Sequence, residues 1–554
     1  MTEINNNSER SRCGFLLSDN GTANSPTSNV TDSGQPSFNY DLEIFRLCQH
    51  YINTKNHQGL ALIARQKGLP PFLRFKIWPI VLKHHPFVLN PFIQPDSGSG
   101  LASQDLNEDK LKADIDKDLS KYLQRLSFSG PVDLSNNSEV GKDIFDILED
   151  SIFRFVKKWG KIIKYNQALS WIALGLAEWF PPIPHTHWVL VGRDLKYHNS
   201  CVKNLFDDYS NYIHNIDGLD NYLHDLISDE EINNMNFHDV YERLVLVLLH
   251  TPEDSYKDKI ISPSTINKKI LPINGGTIEE RVSFFIYCFR KLLPELSSYF
   301  QEEHILNKFG SHDDEWLIWW LKWCGSKVWS RLDRGRIWDL LFGWRMQNKK
   351  KSNEYYMEKM ELTPEILDRL GPYTFWSVSD EKDEVMLSTY RRSSSFKDLI
   401  HELNTSQSSS SNSPTSTSPS NSLDNSSSHY AYESEQGAPI MDTSSSSSLV
   451  ETSIPFSKLD PHVELIFVAL ALLKSKENTL MELDQHEIRQ FLSRLPTKSL
   501  SLSAKYGSLI PDKDGQIISN DSVDNRKIDF MDNIINEAGE LWRKWLWSEM
   551  IDDK

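Results

Sequence analysis

Apolar residues in this chain recur at helical spacing over long stretches and rarely alternate. Leu42, Ile44, Phe45, Cys48, Tyr51 and Ile52 trace one face, as do Ile144, Phe145, Ile147, Leu148, Ile152 and Phe155. A period near 3.6 buries one stripe of a helix, whereas a half-buried strand needs a period of two. Strand-like runs with hairpin turns between them are scarce, so the expected class is all-α. The apolar runs Val189 to Val191 and Leu244 to Leu249 fall far short of the roughly 18 apolar residues of a transmembrane helix. The polar start, Met1 to Arg12, lacks the apolar run of a secretory signal.

Two tracts interrupt the pattern. Residues 1–39 are rich in Asn, Ser and Thr and are expected to be a disordered tail, because they cannot bury enough surface to offset chain entropy. Residues 393–455 are a serine-rich, low-complexity insertion, expected to be disordered as well. Arg391-Arg392 ahead of Ser393, together with Ser413-Pro414 and Ser418-Pro419, makes it a candidate phosphorylation target. The expected layout is a helical section over 41–391 and its helical completion over 456–552.

Local punctuation refines the helices. Asn166 is a suitable N-cap for a helix starting near Gln167, and Pro181-Pro182 stops that helix. Helical patterning resumes at Pro461 and continues through Leu483 to Leu495. A last helix is expected from about Ile528 to Met550, with Ile528, Met531, Ile535, Ala538, Leu541, Trp542 and Trp545 on one face packed against the body.

The balance of 60 Lys+Arg against 77 Asp+Glu gives a net charge of -17, which disfavours nonspecific binding to nucleic acid or an anionic membrane. A soluble cytoplasmic protein with protein partners is therefore expected. Cys13, Cys48, Cys201, Cys288 and Cys324 lack the paired spacing of zinc or redox motifs and are expected to be reduced structural thiols. Asp114, Asp116 and Asp118 alternate as in a calcium loop, but Leu119 stands where the turn glycine is needed and Arg125 where the terminal glutamate is needed. His84-His85 and His185-Thr186-His187 lack further ligands at metal spacing. With no phosphate-binding glycine loop either, no cofactor is expected.

Chemistry is concentrated in two short stretches. Ile115, Asp118 and Lys121 share a helix face at spacings of three. Taken alone, they read as a buried isoleucine beside a solvated ion pair worth a few tenths of a kcal/mol. Downstream stands Tyr165-Asn166-Gln167. Ahead of both is Gly68-Leu69-Pro70-Pro71-Phe72-Leu73-Arg74-Phe75-Lys76-Ile77-Trp78; after them come Trp316-Leu317-Ile318-Trp319-Trp320-Leu321 and Arg336-Ile337-Trp338-Asp339. Read alone, the tryptophans are helix-packing residues.

In this order, the five stretches resemble the TBC family of Rab GTPase-activating proteins, whose two catalytic motifs read I-x-x-D-x-x-R and Y-x-Q. The resemblance implies a multi-helix TBC-type domain, here interrupted by the serine-rich insertion. Its implied partner is a Rab-type small GTPase that holds GTP and Mg itself. By position, Gln167 is the water-orienting residue, Lys121 occupies the arginine-finger position, Asp118 orients that neighbourhood and Tyr165 belongs to the binding surface.

Two departures matter. Lys121 lacks the planar fork with which a guanidinium bridges two oxygens, and Ala168 follows Gln167 where the family usually has glycine. Arg125, one turn on, is an alternative cation that sits off the motif. The functional alternatives are a GTPase activator acting in trans and a catalytically inactive TBC adaptor. An α-solenoid scaffold is disfavoured because no repeat period is visible. Gly192 to Glu280 reads as an insert without an assigned role.

Overall fold

The computed structural model describes residues 41–96, 108–127, 138–192, 200–210, 216–228, 235–252, 275–306, 315–344, 360–370, 459–495 and 530–552, together with residues 213, 272, 358 and 456. The expected tail, the serine-rich insertion with its phosphorylation candidates, Ile528 and Cys13 lie outside the described residues.

The first section opens with α1 (Leu42–Asn53), α2 (His57–Gln66), α3 (Arg74–Lys83) and the short α4 (Pro86–Leu89). Long helices α5 (Glu108–Ser127) and α6 (Ser138–Trp159) follow, then α7 (Gln167–Ala177). After strands β1 (Trp188–Leu190) and β2 (Val202–Asn204) come α8 (Leu219–Ser228), α9 (Phe237–Leu248), α10 (Ile278–Leu292) and α11 (Pro294–Glu302). The short α12 (Glu315–Leu317) runs into a π-helical turn over Ile318–Lys322, and α13 (Arg331–Phe342) and α14 (Pro364–Leu370) end the section. The later section contains α15 (Pro461–Ser475), α16 (Glu477–Leu480), α17 (Gln485–Ser493) and α18 (Phe530–Asp552).

Local chemistry sets these boundaries. Asp41 caps α1 by accepting from the Glu43 amide at 2.9 Å, and α1 buries Ile44, Phe45, Leu47, Cys48, Tyr51 and Ile52. Thr277 and Glu280 form a reciprocal capping box at the start of α10. Helix α15 is buried from Pro461 to Leu473, as a helix apolar on all sides must be. It packs on α10, α13 and α18. In α18, Met531, Ala538, Leu541, Trp542 and Trp545 of the face read from spacing are buried. Arg65 of α2 reaches α15 through a buried ion pair with Glu464 at 2.9 Å.

The fold is mostly helical, in line with the expected class, and carries one short strand pair: β1 pairs antiparallel with β2, Trp188 opposite Asn204 and Leu190 opposite Val202. In β1 Trp188 is half-buried and both Val189 and Leu190 are buried, so no alternation marked this short strand. The 192–280 segment, left without a role by the sequence, contains α9, which packs against α3, α4, α6 and α7. Phe237, Val240, Tyr241 and Leu244 to Leu248 of α9 are buried, and Tyr241 donates to the Leu169 carbonyl of α7 at 3.1 Å.

The outer motifs meet in the core. Asp339, with no solvent exposure, accepts from Trp78 Nε1 at 2.7 Å, Arg74 Nη2 at 2.7 Å and the Leu69 amide at 3.0 Å. Trp179 packs against the guanidinium groups of Arg74 and Arg331, 4.3 and 4.0 Å from its centroid. Gly68 has φ +83, and a Cβ there would lie 2.6 Å from Arg336 Cδ, so this close approach needs glycine. Cys48, Cys201, Cys288 and Cys324 are buried and unpaired by disulfides; burial pushes their thiols up, that of Cys324 to about 12.

Candidate functional site

The site forms where α5 packs on the start of α7. On α5, Ile115 is fully buried and anchors the helix. One turn on, the Asp118 side chain is 12% exposed, and after another turn that of Lys121 is 39% exposed. The face therefore grades from core to solvent along Ile115, Asp118 and Lys121. Tyr122, the next residue, is buried and accepts from the Gly192 amide at 2.7 Å, which ties this end of α5 to the exit of β1.

Asn166 adopts an extended backbone and its side chain accepts from the Ala168 amide at 2.9 Å, so the first helical residue of α7 is Gln167. From Ala168 onward every residue of α7 is buried. Gln167 is half-buried, and its side chain has no hydrogen-bond partner among the described residues. It is thereby available to a group from outside the chain.

Tyr165 joins the two stretches. Its hydroxyl lies 2.9 Å from Asp118 Oδ2 and donates to it, while Asp118 Oδ1 accepts from Lys121 Nζ at 2.5 Å. The same hydroxyl lies 3.0 Å from Ser170 Oγ. Burial, with the bonded Asp118 carboxylate as a further cause, pushes the Tyr165 phenol well above its ordinary range. It therefore stays a neutral donor at any ordinary pH.

Asp118, Lys121 and Tyr165 thus form one bonded group, and Gln167 opens the helix that carries Ser170. The Arg125 side chain lies outside the described residues. Sequence reasoning missed Ser170. Its signal is a lone hydroxyl inside the otherwise apolar run Ala168-Leu169-Ser170-Trp171-Ile172-Ala173-Leu174. Among the described residues no group of three or more His, Cys, Asp or Glu is placed to hold a metal ion.

The arrangement offers one cation and one amide at the edge of two packed helices. The class defined is therefore a mostly helical protein with a polar, partly exposed site; no described helix is long and apolar enough to cross a membrane. Fungal proteins that bear the name oxidant-induced cell-cycle arrest protein 5 are similar along nearly the whole chain, three of them as follows. The one from Debaryomyces hansenii is 67% identical over 534 residues, covering 95% of this chain and 83% of the relative. Its counterpart in Candida albicans is 44% identical, covering 95% and 91%, and that of Kluyveromyces lactis 31% identical, covering 92% and 93%. The chain belongs to the oxidant-induced cell-cycle arrest protein 5 family. No protein-family model matches it, and no solved structure does.

Proposed function

We propose that this chain is a TBC-type protein that binds a Rab-type small GTPase in the cytoplasm and acts in trans on the partner's GTP hydrolysis. The observation that carries the reading is the hydrogen-bonded group Tyr165–Asp118–Lys121. It ties the I-x-x-D-x-x-K stretch to the Y-x-Q stretch across 47 residues of sequence, with Lys121 and Gln167 left partly exposed.

Hydrolysis requires an oriented water and neutralisation of charge on the transferring phosphoryl oxygens. Gln167 orients the water through its amide, and the Lys121 ammonium supplies the charge. The partner holds GTP and Mg. A second reading, a binding adaptor without catalytic power, is favoured by one observation: Asp118 already engages Lys121 at 2.5 Å. A lysine also contributes a single point charge rather than a bidentate fork.

Single-turnover GTP hydrolysis over a panel of Rab-type GTPases tests both readings. For an activator, Gln167→Ala lowers the stimulated rate about 100-fold with little change in affinity, because the lost contact is made chiefly in the transition state. Lys121→Arg raises that rate. Tight binding to a GTP-loaded partner without acceleration selects the adaptor, and binding to none of the panel removes the GTPase reading altogether.

A further inference from the structure

We infer that buried Ser170 is a positioning residue for Lys121, acting through Tyr165 and Asp118. The inference rests on the reading above for its effect on hydrolysis, but its structural core stands on the bonded atoms alone.

A tyrosine hydroxyl carries one proton and has three polar neighbours here: Asp118 Oδ2 at 2.9 Å, Ser170 Oγ at 3.0 Å and the Asp114 carbonyl at 3.4 Å. If the proton pointed at Ser170, Oδ2 of the carboxylate would lose the tyrosine as donor. A serine hydroxyl can donate and accept, whereas an ionised carboxylate only accepts. The low-energy arrangement therefore has Ser170 donating to the tyrosine oxygen and the tyrosine donating to Asp118. The bond to a charged acceptor is the stronger of the two, and donors in series polarise one another.

Ser170 is suited to this because it cannot move. It has no solvent exposure, it lies on the same helix as Gln167, and the residues beside it on α7 are buried. Lys121, by contrast, is long and partly exposed. Holding Asp118 Oδ2 from the core side leaves Oδ1 facing Lys121, so the ammonium is restrained along a chain that begins in α7. One rigid helix thereby fixes both groups of the site, Gln167 directly and Lys121 through three hydrogen bonds. Disturbing Ser170 changes how tightly the ammonium is held without altering any group that faces a partner.

The test uses the full-length protein and two readouts. The first is the acylation rate of Lys121 by an amine-reactive ester, followed by mass spectrometry, since acylation needs an amine released from its carboxylate. Ser170→Ala and Tyr165→Phe should each raise it about fivefold, the equivalent of one net hydrogen bond. Ser170→Ala should add nothing once Tyr165→Phe is present. The second readout is single-turnover hydrolysis with a responsive Rab-type GTPase, where Ser170→Ala should lower the rate about fivefold at unchanged affinity. Unchanged Lys121 acylation in both single variants overturns the inference whatever the hydrolysis shows. A changed acylation rate in a protein that accelerates no GTPase keeps the relay and removes the catalytic reading. Should Ser170→Ala fail to fold, Tyr165→Phe, a change at a half-exposed ring, decides the first readout.

Discussion

A carboxylate without solvent is tolerated only where its charge is fully matched, and Asp339 shows how this chain meets that requirement. Its oxygens accept from Arg74, Trp78 and the Leu69 amide, so the opening motif and the Arg336–Asp339 stretch are two halves of one buried ion pair. They hold the core together, and apart from the half-buried Pro71 every residue of the two stretches is buried. Breaking such a pair from one side costs more than the pair is worth, because the partner charge stays buried. Asp339→Ala leaves Arg74, whose side chain is 4% exposed, without its counter-ion. It should destabilise the protein by about 3 to 5 kcal/mol, read as a lowered urea midpoint. A loss under about 1 kcal/mol would mean that solvent reaches the pair. Lys121 and Asp118 are the opposite case: with Lys121 partly exposed, their pairing contributes little to stability, and whatever Lys121→Ala changes will be seen in partner assays.

Helices α1, α6 and α18 are legible in the sequence because each buries a stripe at helical period, whereas α7, buried all round from Ala168 on, is legible from its Asn166 cap and its Pro181-Pro182 stop. Strands β1 and β2 were not, since three residues per strand cannot display an alternation. Neither was the central place of α9: the run Leu244 to Leu249 says that a segment is buried but not against what. At the site, the types and spacing on α5 were legible, whereas the bond from Tyr165 to Asp118 was not, because folding alone brings it about. The last helix gives a sharp test of spacing. Trp545 is fully buried against Phe284, ring centroids 5.3 Å apart, while Trp547, two positions on, is 66% exposed. Trp545→Ala should cost about 3 to 5 kcal/mol and Trp547→Ala under about 0.5 kcal/mol. Thermal unfolding of the two variants side by side checks the contrast, and similar losses would contradict the packing of α18.

At the scale of the whole molecule, the two helical sections meet at a seam of histidines, with His85 and His462 buried and His250 half-buried. His85 precedes α4, His250 follows α9 and His462 lies in the first turn of α15. The His250 ring stacks on Phe87 with centroids 3.4 Å apart. His462 bonds Asp460 and the Leu248 carbonyl, each at 3.1 Å, and Arg281 donates to the His250 carbonyl at 2.6 Å. Burial pushes His85 down to about 3, helped by His250 and His462. Burial likewise takes His250 to about 3 against the pull of Asp460, and burial and Arg281 lower His462. Unfolded histidines titrate near ~6.5, so between that pH and about 3 the unfolded chain binds protons that the folded chain refuses. Stability therefore falls as pH drops through this window, by up to about 1.4 kcal/mol per pH unit for each histidine. His84 and His187, also lowered chiefly by burial but partly exposed, act in the same direction more weakly. From pH 7 to 5 His85 and His250 together should remove about 4 kcal/mol, with His462 acting in the same direction, and His250→Gln should flatten the slope by roughly one histidine's share. Urea unfolding at a series of pH values measures both. A stability that stays level from pH 7 to 5 would show that these rings take up protons in the folded protein and that the seam is open to water.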